Sequence, residues 1–331
     1  MLDGHIKWIS ESPIHANSAE DLVVVCVVRN GAGHVVNFIN HHLQLGAKSI
    51  ILLDNCSTDE TINNARKFGE KVTILSSKLP FNQFEMAFRA WMVNKFAKSC
   101  WCLLADIDER FQYPYSPDIE LISFLRYLNQ NNYSGVNMQM VDLFADGSID
   151  EWPNAENVER DCVWYDTSGI RKRDFEPISQ LLAGNSQSSK EIKLLRGGIR
   201  AVSLGAQRSI TKQALIFPSR GVTSLTPHWA IGAHFADVSC ALLHYPFDRL
   251  FYERCAEIVQ RKSHWKNSGE YRIYLNTLIQ EGSKFSLKGK TAKQFTGDDQ
   301  LVADGFLVVS KRYSQFVETT KATSGQKSLN K

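Results

Sequence analysis

The first half of the chain alternates short apolar runs with longer segments in which apolar residues recur at helical spacing. The runs are rich in valine, isoleucine and leucine, which is typical of strands buried on both faces. The predicted strands cover residues 22–28, 49–53, 72–76, 101–105 and 134–143, and the predicted helices cover 34–45, 82–98 and 118–129. This alternation predicts an α/β fold with a doubly wound, mostly parallel sheet.

Local signals mark the ends of these helices. Gly46 is expected to end the first helix as a C-cap. Ser57 or Thr58 is expected to cap the helix after the second strand, and Asp118 is expected to cap the helix that runs to about Asn129. His41 and His42 are neighbours on the first predicted helix, so they cannot both face one ligand, and we expect both on the surface.

The pattern changes in the second half. Residues 150–185 are predicted to be a polar and aromatic loop, 194–200 a glycine-rich corner, 212–218 a short apolar run, 236–245 a strand ending at His244, and 248–262 and 271–280 helices. The polar residues from about Thr320 onward are expected to be frayed or disordered.

Composition and charge place the chain among ordinary globular proteins. Hydrophobic residues make up 43%, charged residues 22%, and the net charge is +3. No dense basic run suggests a nucleic-acid partner. The seven cysteines are odd in number and form no C-x-x-C pair, which favours a reducing, cytoplasmic setting without structural zinc. Met1–Glu20 lacks the apolar core of a signal peptide, and peripheral association with the inner membrane face stays open.

The candidate chemistry begins at Asp106 and Asp108, which follow the strand at 101–105. Residues two apart in a strand point to the same side, and open α/β sheets bind ligands at the carboxyl ends of their strands. Two carboxylates there suit Mg²⁺ or Mn²⁺ shared with phosphates. An isolated Asp-x-Asp occurs about once by chance in a chain of this length, so its position after three βα units carries the argument.

Two other strand ends carry polar residues. After the first strand, the glycine turn starting at Arg29 resembles part of a dinucleotide fingerprint, but Val36 stands where the third glycine is required. Asp54 ends the second strand, where its carboxylate could accept hydrogen bonds from a nucleobase or ribose. The alternative is that Asp54 only forms a turn.

Four stretches together resemble a known family. They are Val25–Asn30 running into a helix with His41-His42, Leu53–Thr61, Ala105–Glu109, and Leu242–Tyr245 followed by a helix and Ser268–Tyr274. In this order and spacing, across residues 22–280, the chain resembles family-2-type glycosyltransferases with the GT-A fold, in particular their bacterial branch with an Asp-x-Asp-Glu motif. The resemblance implies a sheet with an acceptor-side C-terminal extension. The domains expected are 1–20 (extension), 21–150 (nucleotide-sugar-binding half), 151–285 (acceptor-side half) and 286–331 (extension).

The resemblance implies roles residue by residue. Arg29 and Asp54 would contact the nucleoside, Asp106 the ribose and metal, and Asp108 and His244 would ligate Mn²⁺ or Mg²⁺. The residues expected at the nucleotide-sugar are Arg29, Asn30, Asp54, Asp106, Ile107, Arg200, Lys212 and Arg261. For Arg200 and Lys212, holding an anionic acceptor or phosphate and lying on the surface are both open.

The chain departs from this family after the histidine. Relatives often have a basic residue soon after it, whereas here the first cation is Arg249. Neutralisation of the leaving diphosphate could pass to Arg249, Arg261 or Lys262. Arg110, after the acidic motif, is expected to be a salt-bridging surface residue.

The implied reaction is transfer of a sugar from a nucleoside-diphosphate sugar, by resemblance UDP-linked, to a saccharide or glycolipid acceptor with inversion. A bacterial surface polysaccharide or lipopolysaccharide setting has the same basis. The acceptor hydroxyl needs a general base. The candidates are Asp142, Asp166, Glu191 and His228, and for His228 a structural role is equally open.

Three other functions are weighed. A nucleotidyltransferase that makes sugar-nucleotides would share the fold and metal, but it usually carries clustered cations after the first strand, which Arg29–Gly33 lacks. A catalytically silent binding protein would not need Asp106, Asp108 and His244. A dehydrogenase is disfavoured by Val36.

Overall fold

The structure, a computed structural model, describes residues 2–10, 16–116, 118–261 and 265–329. The strands are β1 Lys7–Ser10, β2 Leu22–Val28, β3 Ser49–Asp54, β4 Val72–Ser76, β5 Trp101–Leu104, β6 Glu109–Gln112, β7 Gly135–Asp142, β8 Trp164–Tyr165, β9 Ile170–Arg173, β10 Ser186–Gln187, β11 Leu194–Gly197, β12 Thr211–Ile216, β13 Thr223–Ser224, β14 Ala230–Ile231, β15 His234–Phe235, β16 Cys240–His244 and β17 Lys293–Gln294.

The α-helices lie between and after these strands. They are α1 Ala32–Leu45, α2 Thr61–Arg66, α3 Phe81–Phe96, α4 Leu121–Gln130, α5 Val158–Asp161, α6 Pro177–Leu182, α7 Ile199–Leu204, α8 Phe251–Arg261, α9 Trp265–Glu281, α10 Asp298–Ala303 and α11 Lys311–Leu329. Gly46 follows α1 in the left-handed conformation with φ 109°, which is the predicted C-cap.

One large sheet organises the molecule, in the order β1-β4-β3-β2-β5-β12-β7-β15-β10, with β16 pairing with β7 and β6. β2, β3, β4 and β5 pair in parallel, as do β7 with β16 and β15 with β10. All seven residues of β2 are buried, as expected when helices cover both faces. The predicted α/β class with a mostly parallel sheet is confirmed.

The position of β12 is the feature of the sheet that the sequence did not predict. The predicted apolar run at 212–218 is a central strand that lies between β5 and β7 and is antiparallel to both. Its sequence, Thr-Lys-Gln-Ala-Leu-Ile, begins with polar residues, so its first half lacks the apolar signal of a buried strand. The polar side chains are nevertheless buried: Thr211, Lys212 and Gln213 are each at most 3% exposed.

Two predicted helix caps are wrong. α2 begins at Thr61 after Glu60 and α4 begins at Leu121 after Glu120, with no side-chain cap hydrogen bond at either N-cap. Ser57 Oγ instead accepts a hydrogen bond from the Asn30 amide at 2.9 Å. The polar side chain before α2 is therefore used to tie two loops together rather than to start a helix.

The prediction that both histidines of α1 lie on the surface is also wrong. His42 is fully buried, and its Nδ1–H donates to the Phe38 carbonyl at 2.8 Å while its Nε2 accepts from the Phe111 amide at 3.4 Å. His41 Nε2–H donates to the Phe111 carbonyl at 2.7 Å. The two rings thus satisfy both backbone polar groups of one residue of β6, which cannot be left unpaired inside the protein.

Arg110 forms the predicted salt bridge but is not a surface residue. Its side chain is 1% exposed, and its Nε donates to Glu159 at 2.6 Å. The guanidinium also lies 5.6 Å from the Phe38 ring centre and 5.9 Å from that of Tyr245. Aromatic faces stabilise a desolvated cation, so Arg110 fixes β6 against α1.

The acceptor-side half contains more regular structure than predicted. The stretch expected to be a loop at 150–185 includes α5, β8, β9 and α6, all short. α8 and α9 begin at Phe251 and Trp265 rather than at 248 and 271. α11 extends to Leu329, past Thr320, where fraying was expected; Tyr313 and Val317 bury its first half in the core.

The seven cysteines are free thiols. Among the described residues, no helix combines the length and the apolar character that crossing a bilayer requires. The division into residues 1–20, 21–150, 151–285 and 286–331 stays a prediction.

Burial of His42 leads to a prediction about pH. Burial, the neighbouring His41 and Arg110 lower its pKa well below 6.5, so the folded protein resists protonation of this ring. The pKa of His42 is lower in the folded state than in the unfolded state, so its contribution to the unfolding free energy is fully present above about pH 6.5 and is lost as the pH falls. For one such group the unfolding free energy falls by up to about 1.4 kcal/mol per pH unit. In urea denaturation, His42→Gln should flatten the slope of unfolding free energy between about pH 6.5 and 5.

The matched control is His5→Gln, since His5 is exposed. It should leave the slope unchanged. A wild-type slope retained in His42→Gln would contradict the assignment of this proton to His42.

Candidate functional site at the carboxyl edge of the sheet

Several strands end at the same edge of the sheet. β5 and β7 are both antiparallel to β12, so they run in the same direction, and β2, β3 and β16 run with them. The first residues of β12 therefore lie at the edge where the other strands end. The resulting carboxyl-edge cluster consists of Asp106, Asp108, Glu109, Asp142, Lys212 and His244.

Asp106 and Asp108 do not occupy a strand. β5 ends at Leu104, and the two carboxylates lie in the turn before β6, closed by a hydrogen bond from the Glu109 amide to the Asp106 carbonyl at 3.0 Å. The prediction that strand geometry gives them one shared face is therefore wrong. Because a turn separates their directions, each carboxylate has its own set of partners.

Asp106 is held between two cations. Its Oδ1 accepts from Arg89 Nη2 at 2.6 Å and its Oδ2 accepts from Lys212 Nζ at 2.7 Å. Desolvation alone would raise its pKa, but the charges of Lys212 and Arg89 hold the pKa well below its usual range. Asp106 is thus an anion at neutral pH, and each of its oxygens pairs with one cation.

Lys212 also pairs with Glu109, which is fully buried. The Glu109 carboxylate in addition accepts a hydrogen bond from the Asp106 amide at 3.0 Å. Desolvation lowers the pKa of Lys212, but Asp106 and Glu109 outweigh it, and the pKa rises. Burial raises the pKa of Glu109 in spite of its lysine partner.

Asp108, His244 and Asp142 form a chain of polar contacts. His244 Nε2 lies 3.3 Å from Asp108 Oδ2, and His244 Nδ1 donates to Asp142 Oδ1 at 2.6 Å. Burial alone would lower the pKa of His244, but the two carboxylates raise it to about 9. Arg200 donates to the other oxygen of Asp142 at 2.9 Å. Asp142 therefore orients the imidazole, and Arg200 orients Asp142.

The side chains of this cluster differ in how well they suit the predicted metal ion. A histidine whose second nitrogen bonds a carboxylate is the usual arrangement around protein-bound metals, so His244 and Asp108 fit as ligands. Asp106 is the poorer ligand of the three, because Arg89 and Lys212 already neutralise its carboxylate. In the described ranges, no set of three or more His, Cys, Asp and Glu side chains is arranged to hold a metal ion. A site in which Asp108 and His244 are the protein ligands and phosphate oxygens fill the other positions suits Mg²⁺ or Mn²⁺.

The predicted nucleoside contacts lie at the ends of β2 and β3. Asp54 accepts hydrogen bonds from the Ser57 backbone amide, 3.2 and 3.3 Å from its two oxygens, which is the turn-forming alternative.

Arg29 donates to the Asn55 carbonyl at 3.3 Å, and its Nε is buried without a hydrogen-bond partner among the described atoms. Asn30, at φ 50°, accepts from the Thr58 amide at 2.8 Å. Ile107 borders this turn, 3.1 Å from where a Cβ on Gly31 would lie.

The structure separates the four base candidates. Asp142 is engaged with His244 and Arg200, and the Asp166 carboxylate accepts from the Ser168 amide at 2.7 Å and from Thr291 Oγ1 at 2.6 Å. Glu191 is exposed, and within the described residues it has no hydrogen bond or ion pair with the carboxyl-edge cluster. His228 lies beside β12, 3.3 Å from the Thr211 carbonyl, and burial together with Lys212 lowers its pKa to about 3. A base is most effective with a pKa near the working pH, which makes His228 a weak base. The assignment of a base stays a prediction.

The remaining predicted cations fall into two groups. Lys212 belongs to the carboxyl-edge cluster, and Arg200 borders the cluster through its bond to Asp142. Arg261, on the contrary, pairs with Glu257 at 3.0 Å on α8 and is 39% exposed. Arg249 donates its amide to the Pro153 carbonyl at 2.8 Å, and Lys262 lies outside the described residues.

Sequence reasoning missed two buried members of this site. Arg89 is 3% exposed on α3 and reaches both Glu85 and Asp106. Its one sequence signal is the Glu85–Arg89 spacing of four residues on an apolar helix. Glu109 was seen only as part of the motif, because its partner Lys212 lies 103 residues later in the chain.

The buried pair of Lys212 and Glu109 can be tested through stability. Their side chains are 4% and 0% exposed. Removing one partner of a buried ion pair costs about 3–5 kcal/mol, so Lys212→Met should lower the unfolding free energy by about that amount in urea denaturation. The double variant Lys212→Met/Glu109→Gln should recover part of the loss.

The matched control is Lys321→Met. Lys321 pairs with Asp118 while 44% exposed, and its loss should cost about 1 kcal/mol or less. Equal losses in the two single variants would show that Lys212 contributes no more than a surface pair.

No protein family and no curated protein matches the chain by sequence. Among solved structures, residues 1–349 of S. aureus TarS in complex with UDP-GlcNAc share 10% identity over 78% of this chain and 73% of that one, at a TM-score of 0.39. Glucosyl-3-phosphoglycerate synthase from Mycobacterium tuberculosis, in complex with Mn²⁺, UDP and phosphoglyceric acid, is similar over 40% of this chain and 50% of its own, at 14% identity and a TM-score of 0.25. These similarities assign no residue of this chain.

Proposed function

We propose that this chain is a metal-dependent glycosyltransferase that moves a sugar from a nucleoside-diphosphate sugar to a hydroxyl of a saccharide or glycolipid. The observation that carries the proposal is the convergence of Asp108, His244 and Asp142 at the carboxyl edge of the sheet. His244 is at the end of one strand, Asp142 ends the neighbouring one, and Asp108 follows a third. Open α/β sheets bind ligands at this edge.

Asp108 and His244 would hold Mn²⁺ or Mg²⁺, which neutralises developing charge on a departing nucleoside diphosphate when bound. Asp142 keeps His244 in one orientation through the bond to Nδ1. Arg200, which is 11% exposed, keeps Asp142 in place. The protein would thereby fix the ligands before the donor arrives, which avoids reorganisation during the reaction.

The donor nucleoside would lie toward the ends of β2 and β3. The buried Nε of Arg29 has no protein acceptor among the described residues, and a nucleobase or ribose oxygen could supply one. Asp106 follows β5, beside this region, and Arg89 and Lys212 fix its carboxylate there. A carboxylate held in this way is suited to accept hydrogen bonds from ribose hydroxyls. UDP is the donor nucleotide favoured by the family resemblance.

The acceptor hydroxyl would attack the anomeric carbon opposite the leaving diphosphate, with inversion, and its proton would pass to a base on the acceptor side. Asp166, Glu191 and His228 are the candidates, and Asp142 is a fourth candidate only if it releases His244 or Arg200. We place the reaction in bacterial surface polysaccharide or lipopolysaccharide synthesis, in the cytoplasm at the inner membrane face.

The direct test follows nucleoside diphosphate release from UDP-, GDP- and CDP-sugars with Mn²⁺. Release that needs the metal and one particular nucleotide supports the proposal. Pyrophosphate formation from a nucleoside triphosphate and a sugar phosphate would favour a nucleotidyltransferase instead. Absence of both activities together with absence of nucleotide binding would favour the silent binding protein.

The role of Asp108 can be separated from turnover by thermal unfolding. A ligand that binds only the folded state raises the Tm. We expect one nucleoside diphosphate to raise the wild-type Tm only with Mn²⁺, and Asp108→Asn to lose this shift. Asp146→Asn is the matched control, since Asp146 lies in the loop after β7 and pairs with Lys288. A shift retained in Asp108→Asn would contradict the assignment.

Asp142 is predicted to be a positioning residue. Partners that orient a ligating histidine typically contribute about 10–100-fold to metal affinity. In Asp142→Asn, the Mn²⁺ concentration that gives half of the nucleotide-dependent Tm shift should therefore rise by about that factor. Asp166→Asn, a buried carboxylate with other partners, should leave this concentration unchanged. An unchanged midpoint in Asp142→Asn would exclude the positioning role.

A further inference from the structure

A two-stranded ribbon on the acceptor-side half presents three arginines on one face. β9 and β11 pair antiparallel, with Arg171 directly opposite Arg196 and Arg173 opposite Leu194. Residues that face each other, or lie two apart, share a side of a ribbon. All three arginines are exposed, and none forms an ion pair within the described residues. Like charges directly opposite each other destabilise a ribbon, and an anionic partner on this face would offset that repulsion.

The next element along the chain exposes apolar side chains. Ile178, Leu181 and Leu182 of α6 are 74%, 79% and 83% exposed. These are the three most exposed large hydrophobic side chains in the described part of the protein. Single exposed leucines are ordinary, but a contiguous set usually marks an interaction surface. We call Arg171, Arg173, Arg196 and these three residues the ribbon–helix surface.

The charge of this segment distinguishes it from the rest of the chain. Residues 170–196 contain six Lys and Arg residues and three Asp and Glu residues. Their net charge of +3 equals that of the whole chain, so the remainder is neutral on balance. Of the three carboxylates, Asp174 is paired with Lys193. The excess positive charge of the chain therefore lies in the segment that contains the ribbon–helix surface.

The same ribbon leads directly to the carboxyl-edge cluster. β11 ends at Gly197, and α7 begins two residues later at Ile199. Arg200, on the first turn of α7, donates to Asp142. An acceptor bound at the ribbon would therefore contact the segment of chain that continues into α7 and Arg200.

We propose that the ribbon–helix surface docks on an anionic phospholipid bilayer, with the arginines at the headgroups and the α6 side chains among the upper acyl chains. The chemistry favours this occupant because exposed arginines on the ribbon and exposed aliphatic residues on α6, which begins four residues after Arg173, match the charged headgroups and apolar interior of a membrane. A soluble polyanion would use the arginines and leave Ile178, Leu181 and Leu182 in water. The docking stands on its own observations; its use in presenting a lipid-borne acceptor rests on the proposed function.

The test is co-sedimentation of the full chain with vesicles of phosphatidylglycerol and phosphatidylcholine in equal amounts, compared with vesicles of phosphatidylcholine alone. The wild type should bind the anionic vesicles and lose binding as salt is raised. Each basic residue near an anionic surface strengthens binding about fivefold, so Arg171→Glu/Arg196→Glu should weaken binding more than tenfold. Leu181→Asp/Leu182→Asp should weaken it by about tenfold or more.

Matched controls carry the same changes elsewhere. Arg66→Glu/Lys71→Glu reverses two exposed charges, and Ile279→Asp alters a side chain that is 60% exposed. Both should bind vesicles like the wild type. Equal loss in these controls, or wild-type binding that does not prefer anionic vesicles, would overturn the proposal. Loss in the arginine variant alone would overturn it in favour of a soluble polyanion.

The nucleotide-dependent Tm shift with Mn²⁺, measured on the same variants, separates the two proposals. The shift should persist in every surface variant, which also shows that each one folds. A shift without vesicle binding overturns the docking and leaves the glycosyltransferase proposal standing. Vesicle binding without any nucleotide-dependent shift does the reverse.

Discussion

The ion pairs that Lys212 makes with Asp106 and Glu109 hold the centre of this protein together. They join the amino end of β12, which is antiparallel to both of its neighbours, to the turn after β5 and to the first residue of β6. A lysine buried this deeply needs a counter-charge, and the fully buried Glu109 needs one as well. This requirement fixes the position of Asp106, which is one of the residues of the candidate site.

The sequence predicted the frame of the sheet well because its strands carry a strong periodic signal. β2 and β3 are continuous apolar runs with turn residues at both ends, and such runs have few alternatives. The ends of β3 at Asp54 and of β16 at His244 could be located for the same reason, and the end of β7 was predicted one residue beyond Asp142. β12 was harder: three polar residues at its start hide a strand, and their burial depends on partners far away in the chain.

Side-chain partners across the fold were beyond the sequence. His42 and Arg110 are residue types that usually lie on the surface, yet both are buried. His42 accepts a hydrogen bond from a buried backbone amide, and Arg110 packs against aromatic rings. Ser57 resembles a helix cap and instead bonds the loop at Asn30. In each case a local preference gives way to the need to satisfy buried polar groups. The same need decides that Asp106 is paired with Arg89 and Lys212, whereas Asp108 faces His244.

The late position of β12 in the chain has a consequence for how the protein forms. β5 and β7 are complete by residue 142, but the strand that separates them spans Thr211–Ile216. Until it inserts, each of these strands presents an open edge of backbone amides and carbonyls, the kind of edge that pairs with other chains. Contacts between residues so distant in sequence also slow folding. On the ribosome, the sheet would therefore close only after about two thirds of the chain has emerged, and a fragment ending near residue 150 would tend to aggregate.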